Sequence, residues 1–230
     1  MNTLKRLVAW LGRVLLVFWG ISVLMVLALK VLPVYFTPLI GIRTIHQVFF
    51  EEKVVLNKKW VPIEEISPHM YMAVIASEDQ KFLDHNGFDW EALEGAMADY
   101  RSGKRLRGGS TISNQTAKNV FLWPGRNFVR KALEAYFTVL IELTWSKQRI
   151  LEVYLNVIEM GDGLYGAEAA AQKYFNKPAS KLSRQEAALI AAILPNPIQW
   201  RADRPTGYIK KRQAWILKNM NNLGELKFEN

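Results

Sequence analysis

Half of the 230 residues are apolar and none is cysteine. Disulfides and thiolate metal sites are therefore excluded, and redox usage gives no guide to compartment. The formal net charge is +9, an excess that fits anionic lipid, phosphate or nucleic acid and discriminates poorly among them.

The chain opens on an uncharged apolar run, residues 14–29, extended by 7–12 on the far side of Arg13. A bilayer core needs about 20 helical residues, and Arg13 can snorkel to the headgroups. Lys5, Arg6 and Arg13 precede the run and only Lys30 closes it. No acid lies in residues 1–32, so the remainder of the chain carries a net +5. The positive-inside rule then expects the N-terminus in the cytoplasm and the body outside. The run is long for a cleaved signal peptide and no small-x-small site follows it, so residues 1–32 read as a short tail and an uncleaved anchor. Residues 33–60 read as a membrane-proximal connector. Pro33, Thr37 and Pro38 mark the exit, and Ile42, Thr44, Ile45, Val48, Val54 and Val55 suggest a strand or two.

Residues 61–230 read as one mainly α-helical domain. Ser67-Pro68 is a helix start, with serine as cap and proline in the first turn. Met70, Ala73, Val74 and Ala76 follow at helical spacing, and Glu78 falls near the end. Glu78, Asp79, Lys81, Asp84 and His85 then crowd into one turn-rich segment. An acid at a helix C-terminus opposes the dipole, which suits a general acid or base. Taken alone, a solvated helix end running into Asn86-Gly87 is the simpler reading. Asp89 caps a helix to about Arg101. Lys104-Arg105-Leu106-Arg107-Gly108-Gly109-Ser110-Thr111 leads into another helix, which carries Gln115 and Lys118. Glycines, free helix N–H groups and cations make an anion site, although Walker spacing is missing and a capped basic loop fits equally well.

Phe121-Leu122-Trp123-Pro124-Gly125 is an apolar knuckle, a membrane contact if exposed and a core turn if buried. Arg130 and Glu134 lie one turn apart on the next helix. Ser146 caps a helix striped by Ile150, Leu151, Tyr154, Leu155 and Ile158, ended by Gly161-Asp162-Gly163. A small-residue helix covers 166–174, Ser183-Arg184-Gln185-Glu186 is a capping box, and a last helix runs from about Tyr208 to Asn222.

In this order and spacing the segments resemble the peptidoglycan glycosyltransferases of glycosyltransferase family 51, and within them the monofunctional biosynthetic transglycosylases. The marks are Glu78-Asp79-x-x-Phe82-x-x-His85-x-Gly87, then Gly108-Gly109-Ser110-Thr111-Ile112 with Gln115 and Lys118-Asn119, then Arg130-Lys131-x-x-Glu134. Ile150-Leu151-Glu152-x-Tyr154-Leu155-Asn156 and Glu186-Ala187-Ala188 leading to Leu194-Pro195-Asn196-Pro197 complete them. One departure stands out: the family's usual Thr-Gln-Gln is Ser113-Asn114-Gln115 here, which puts a direct role for position 114 in doubt. The penicillin-binding second domain of bifunctional members is not expected. The chain ends about where the glycosyltransferase domain should, and no serine has a lysine three positions later.

The resemblance implies a lysozyme-like helical glycosyltransferase domain behind one transmembrane helix, in the cytoplasmic (inner) membrane with its catalytic domain on the periplasmic side. It implies polymerisation of lipid II into β-1,4-linked glycan with inversion and release of undecaprenyl pyrophosphate, for bacterial cell-wall synthesis. Glu78 is then the general base and Glu134 the second carboxylate. Ser110, Thr111, Gln115, Lys118 and Arg130 bind substrate, the two cations at the pyrophosphate. Asp79, Phe82, His85 and Asn156 shape the site. Glu134 either holds a divalent cation such as magnesium or manganese at the pyrophosphate or orients the cations there. No other cofactor is implied. Partners are lipid II, the growing lipid-linked glycan, the bilayer, and cell-division or other cell-wall proteins. The Phe121–Trp123 region and the start of the Arg130 helix are expected on the bilayer.

Three competing readings remain. A muramidase-type hydrolase would use a glutamate as acid and water as nucleophile, but has no use for a pyrophosphate site. A non-catalytic membrane-anchored partner of the cell-wall machinery would not need both Glu78 and Glu134. A nucleic-acid binder would carry a recognisable motif, and none is present.

Overall fold

The computed structural model describes residues 3–51, 53–103, 109–125, 127–224, 226 and 228. The chain divides into two compact units, Met1–Pro33 and Val34–Asn230. The first is built on a single helix, α1 (Thr3–Leu29). Its 27 residues extend about 40 Å at 1.5 Å each, against roughly 30 Å of hydrocarbon. Leu15, Leu16, Trp19, Ile21 and Leu24 lie exposed on it. Past Arg13 it carries no charged residue, and it is long and apolar enough to cross a membrane.

The second unit is mainly α, as the sequence leads one to expect, and from Val34 onward it includes the segment read as a connector. The strand expected over 40–60 is largely a helix, α2 (Pro38–Phe50). Thr37 caps it, accepting from Ile40 N, and Pro38 occupies the first turn. The β-branched residues are a weak preference overridden by tertiary context. Ile40 and Gln47, two turns apart, are buried, while Ile42, Ile45, Val48 and Phe49 form the outward stripe. Among the described residues of this stretch, only Asn57–Lys58 forms a strand, β1.

Helices α3 (Pro68–Glu78), α4 (Trp90–Arg101), α5 (Ile112–Phe121), α6 (Phe128–Thr144) and α7 (Lys147–Val157) follow. α7 stops short of Ile158. The chain turns through Asp162-Gly163 instead, giving β2 (Glu159–Gly161) and β3 (Leu164–Tyr165). The order is β1-β3-β2, with Asn57 opposite Leu164 and Lys58 opposite Tyr165 in parallel. Gly163 has φ of +64° and lies so close to Val55 O that a Cβ would collide with it, so the turn requires glycine. Then come α8 (Ala167–Phe175), α9 (Arg184–Ile193) and α10 (Gly207–Leu223).

α5 packs against α6 and α7, while α3, α9 and α10 pack together. The core runs through α7, where Ile150, Leu151, Val153, Tyr154, Leu155 and Val157 are buried. Ala187, Ala188, Ala191 and Ala192 are also buried on α9. Their small side chains let α3 and α10 come close. The same packing fixes the end of α3, which carries Glu78.

Candidate active site

Glu78 is the last residue of α3. Both its oxygens accept hydrogen bonds, Oε1 from Ser77 Oγ at 3.0 Å and Oε2 from Gln115 Nε2 at 3.1 Å. Each donor is itself held. Tyr154 OH donates to Gln115 Oε1 at 3.3 Å, and Arg212 Nη2 of α10 donates to Ser77 Oγ at 3.4 Å. The carboxylate faces a cavity of about 290 Å³ that Lys81, Asp89, Gly109 and Ser110 also line. Ser77 and Arg212 escape a sequence reading, and Tyr154, a motif residue there, is given no part at Glu78. Ser77 neighbours Glu78, but Tyr154 and Arg212 reach it only through the fold.

Asp79 caps the same helix end and ties it to the start of α5. Its Oδ2 accepts from Ile112 N at 2.9 Å, and His85 Nε2 lies 2.9 and 3.1 Å from its two oxygens. Gly87 N donates to His85 Nδ1, so Nδ1 is the acceptor and the proton facing Asp79 sits on Nε2. Phe82 is fully buried, with the Lys147 ammonium 4.8 Å from its ring centre. These three side chains lock the loop that follows α3, and Asp79 ties it to the start of α5.

Thr111 caps α5 in a reciprocal capping box with Asn114. The Thr111 hydroxyl gives its proton to Gly87 O at 2.7 Å. The hydrogen bond to substrate expected of it is therefore taken by the fold. Asn114, the departure from the family pattern, is wholly structural. Its amide donates to Gly87 O and Thr138 Oγ1, and its oxygen accepts from Thr111 N. Ser110 stays exposed at the cavity rim. The basic stretch Lys104–Gly108 lies outside the described residues.

Thr111, Gln115 and Lys118 stand at i, i+4 and i+7, one face of α5. Lys118 thereby lines a second cavity, about 230 Å³, together with Arg130, Leu39, Leu122 and Trp123. Asn127 caps α6, accepting from Arg130 N at 2.7 Å, a cap the sequence reading passed over. Arg130 is 8% and Glu134 3% exposed. Arg130 Nη1 donates to Glu134 Oε2 at 2.6 Å, and Lys131 Nζ closes on Oε1. Arg130 Nε is buried without a partner among the described residues. Burial pushes the Lys118 ammonium below its ordinary pKa. Glu134 and Glu78 pull it back up, while Arg130 and Lys131 push it further down. Lys118 thus feels both carboxylates.

Glu134 does not fit a resident metal as arranged, since each oxygen already meets a cation. Among the described residues no group of three or more His, Asp or Glu could hold a metal ion. Asn156 is fully buried and clamps the Val61 backbone, accepting from its N and donating to its O at 2.9 Å each. It belongs to the scaffold. The Phe121–Trp123 knuckle is mostly inward, contrary to its expected place on a bilayer. Phe121 stacks on Phe137 at 4.4 Å, and Leu122 is buried; only Trp123 is exposed. The start of α6 does face out, with Phe128 95% exposed and Val129 beside it.

A family model described as Transglycosylase matches residues 44–221. A biosynthetic peptidoglycan transglycosylase of Bdellovibrio bacteriovorus is 53% identical over 95% of this chain and 86% of its own length. Counterparts from Bacteroides thetaiotaomicron and Escherichia coli are each 51% identical, over 95% and 96% of this chain and 88% and 90% of theirs.

Proposed function

The chain belongs to the transglycosylase family and is a peptidoglycan glycosyltransferase of cell-wall synthesis; from that premise we propose how its residues divide the reaction. Glu78 is the general base. The acceptor is lipid II, whose GlcNAc 4-hydroxyl enters the cavity at Glu78 and attacks the anomeric carbon of the donor MurNAc. Ser77 and Gln115 hold the carboxylate oxygens in place, so orientation is set before substrate arrives. The proton passes to Glu78 as the new bond forms, and the donor's pyrophosphate leaves with the glycosidic electron pair. One displacement inverts the anomeric centre.

The leaving pyrophosphate gathers charge, and the neighbouring cavity supplies cations for it. Lys118 and Arg130 face that space from a largely dry wall, where charge stabilisation is stronger than in water. Glu134 keeps Arg130 and Lys131 in position, and no step runs through a metal. Ser110 offers a hydroxyl to sugar or phosphate at the rim. The observation that carries this reading is that one face of α5 joins the Glu78 cavity to the Lys118–Arg130 cavity. A hydrolase would need no such second cavity.

α1 spans the cytoplasmic membrane with the N-terminus inside. The α2 stripe of Ile42, Ile45, Val48 and Phe49, with Phe128 and Val129, rests the body on the outer face where the lipid substrate sits. The test is polymerisation of labelled lipid II by the full-length protein beside Glu78→Gln. The wild type is expected to give a lysozyme-digestible ladder and the variant none. A ladder from both would remove Glu78 as base.

A further inference from the structure

A third cavity, about 410 Å³, opens beside β1 and α8, lined by none of the residues assigned above. Lys58, Lys59 and Lys173 line it, and Leu56, Leu164 and Ala169 give it an apolar floor. Its one carboxylate, Glu168, is committed. It accepts from Ala179 N at 2.7 Å, Lys59 Nζ at 3.2 Å and Gln172 Nε2 at 3.3 Å. Lys58 stands apart from these pairings. Its ammonium donates to Val34 O at 2.6 Å and forms no ion pair among the described residues. Burial pushes its pKa down to about 8. A desolvated ammonium beside a cavity, with no counter-ion, favours an anionic ligand.

Val34, which accepts from Lys58, joins this unit to the chain that leaves α1. It is the first residue of the body and lies five residues past Leu29, the end of α1. The five residues of chain between Leu29 and Val34 reach at most about 18 Å, a short tether between the end of the span and the residue that Lys58 holds. The polar layer of a bilayer lies in that range. Tyr35 and Phe36, next in the chain, are exposed apolar side chains.

We propose that the Lys58–Lys59–Lys173 cavity binds the headgroup of an anionic phospholipid, the phosphate on the ammonium groups and the glycerol carbons on Leu56 and Leu164. The volume exceeds what a bare phosphate fills, and the apolar floor has no role toward one. This rests on reading α1 as a membrane span but is independent of the chemistry at Glu78.

The experiment uses the full-length protein in neutral detergent and reads acylation rates of individual lysines by peptide mass spectrometry. Four probes are compared: dihexanoyl phosphatidylglycerol, dihexanoyl phosphatidylcholine, inorganic phosphate and a short oligoglutamate. Phosphatidylglycerol is expected to slow acylation at Lys58 and Lys173 and leave Lys210 and Lys211 on α10 unchanged. Lys173→Glu, on an exposed side chain, is expected to weaken that protection of Lys58 by about tenfold while lipid II polymerisation in the same detergent stays as in the wild type. Equal protection by phosphatidylcholine would overturn the proposal. So would protection by phosphate or oligoglutamate without the lipid, or no protection at all. Detergent replaces the bilayer, so a failure here is distinct from a failure of α1 to anchor.

Discussion

Glu134 and Arg130 are both nearly withdrawn from water, and Lys131 takes the remaining carboxylate oxygen. Removing one member of a buried pair strands the other's charge, so Glu134→Ala should lower stability by ~3–5 kcal/mol, read by urea denaturation. Lost activity in that variant is then partly lost fold, and Glu134→Gln, which keeps the shape, is the cleaner probe of chemistry. Lys118 makes a second prediction. Its pKa is lowered, chiefly by burial, so it loses its charge at a pH below that of an ordinary lysine. Polymerisation should therefore fall on the alkaline side below about pH 10.4, and Lys118→Arg, whose guanidinium stays charged, should move that limb upward whatever its height. The stability effect of Lys118 has the opposite sign. The unfolded chain binds more protons between the lowered and the ordinary pKa, so stability rises with pH through that window. An alkaline loss of activity is thus not unfolding driven by this residue. Glu78, Lys118, Arg130 and Glu134 were legible as residue types in a motif. The hold on Glu78 was not, because Tyr154 and Arg212 come from segments far along the chain, and the pattern that marks Tyr154 says nothing of its reach through Gln115 to Glu78.

At the scale of elements, most helix starts could be read because capping is local. Ser67, Asp89, Thr111, Ser146 and Ser183 each accept a backbone N–H within three residues, as their sequence context suggests. What failed depended on partners elsewhere. α2 looked strand-like because its β-branched residues are common in strands, and only its packing on the body decides otherwise. β2 and β3 are two or three residues long, too short for an alternating pattern, and exist because Gly163 lets the hairpin close on Val55 and β1. The inward turn of Phe121 needs Phe137 and Trp145 from the following helix and its end. Position 114 was doubtful by family pattern and is settled by α5. Asn114→Ala removes the reciprocal cap and two buried donors, an expected loss of ~2–3 kcal/mol. Asn114→Gln, the family's usual residue, adds a methylene at a buried site shaped for asparagine and should still cost ~1–3 kcal/mol. Thermal unfolding of both variants checks this. A Gln variant as stable as the wild type would mean that the neighbourhood of Gly87 and Thr138 yields easily.

In the arrangement proposed above, the molecule as a whole has two ways to reach a lipid-borne substrate: the span α1 and the apolar stripe on α2. They differ in consequence. A span confines the body to the surface, which raises its effective concentration against anything in the same membrane without a new contact. The stripe's proposed part is to align the body once it is there. The unit Val34–Asn230 has its own core, so residues 34–230 alone should fold and polymerise lipid II in detergent micelles at a rate like that of the full chain. On vesicles carrying lipid II the same fragment should lose about tenfold or more, the order expected when a tethered encounter becomes a free one. Ile45→Ser with Phe49→Ser changes two exposed side chains and should leave folding intact. In the fragment this pair should abolish most of the remaining vesicle activity; in the full chain it should matter far less, because α1 supplies the concentration. Salt separates the causes. Attraction of a body with net +5 to an anionic surface weakens as ionic strength rises, whereas burial of Ile45 and Phe49 does not. Vesicle activity of the fragment that survives high salt but not the double substitution would assign docking to the stripe. Activity lost to salt alone would assign it to charge and leave α2 with no part in it.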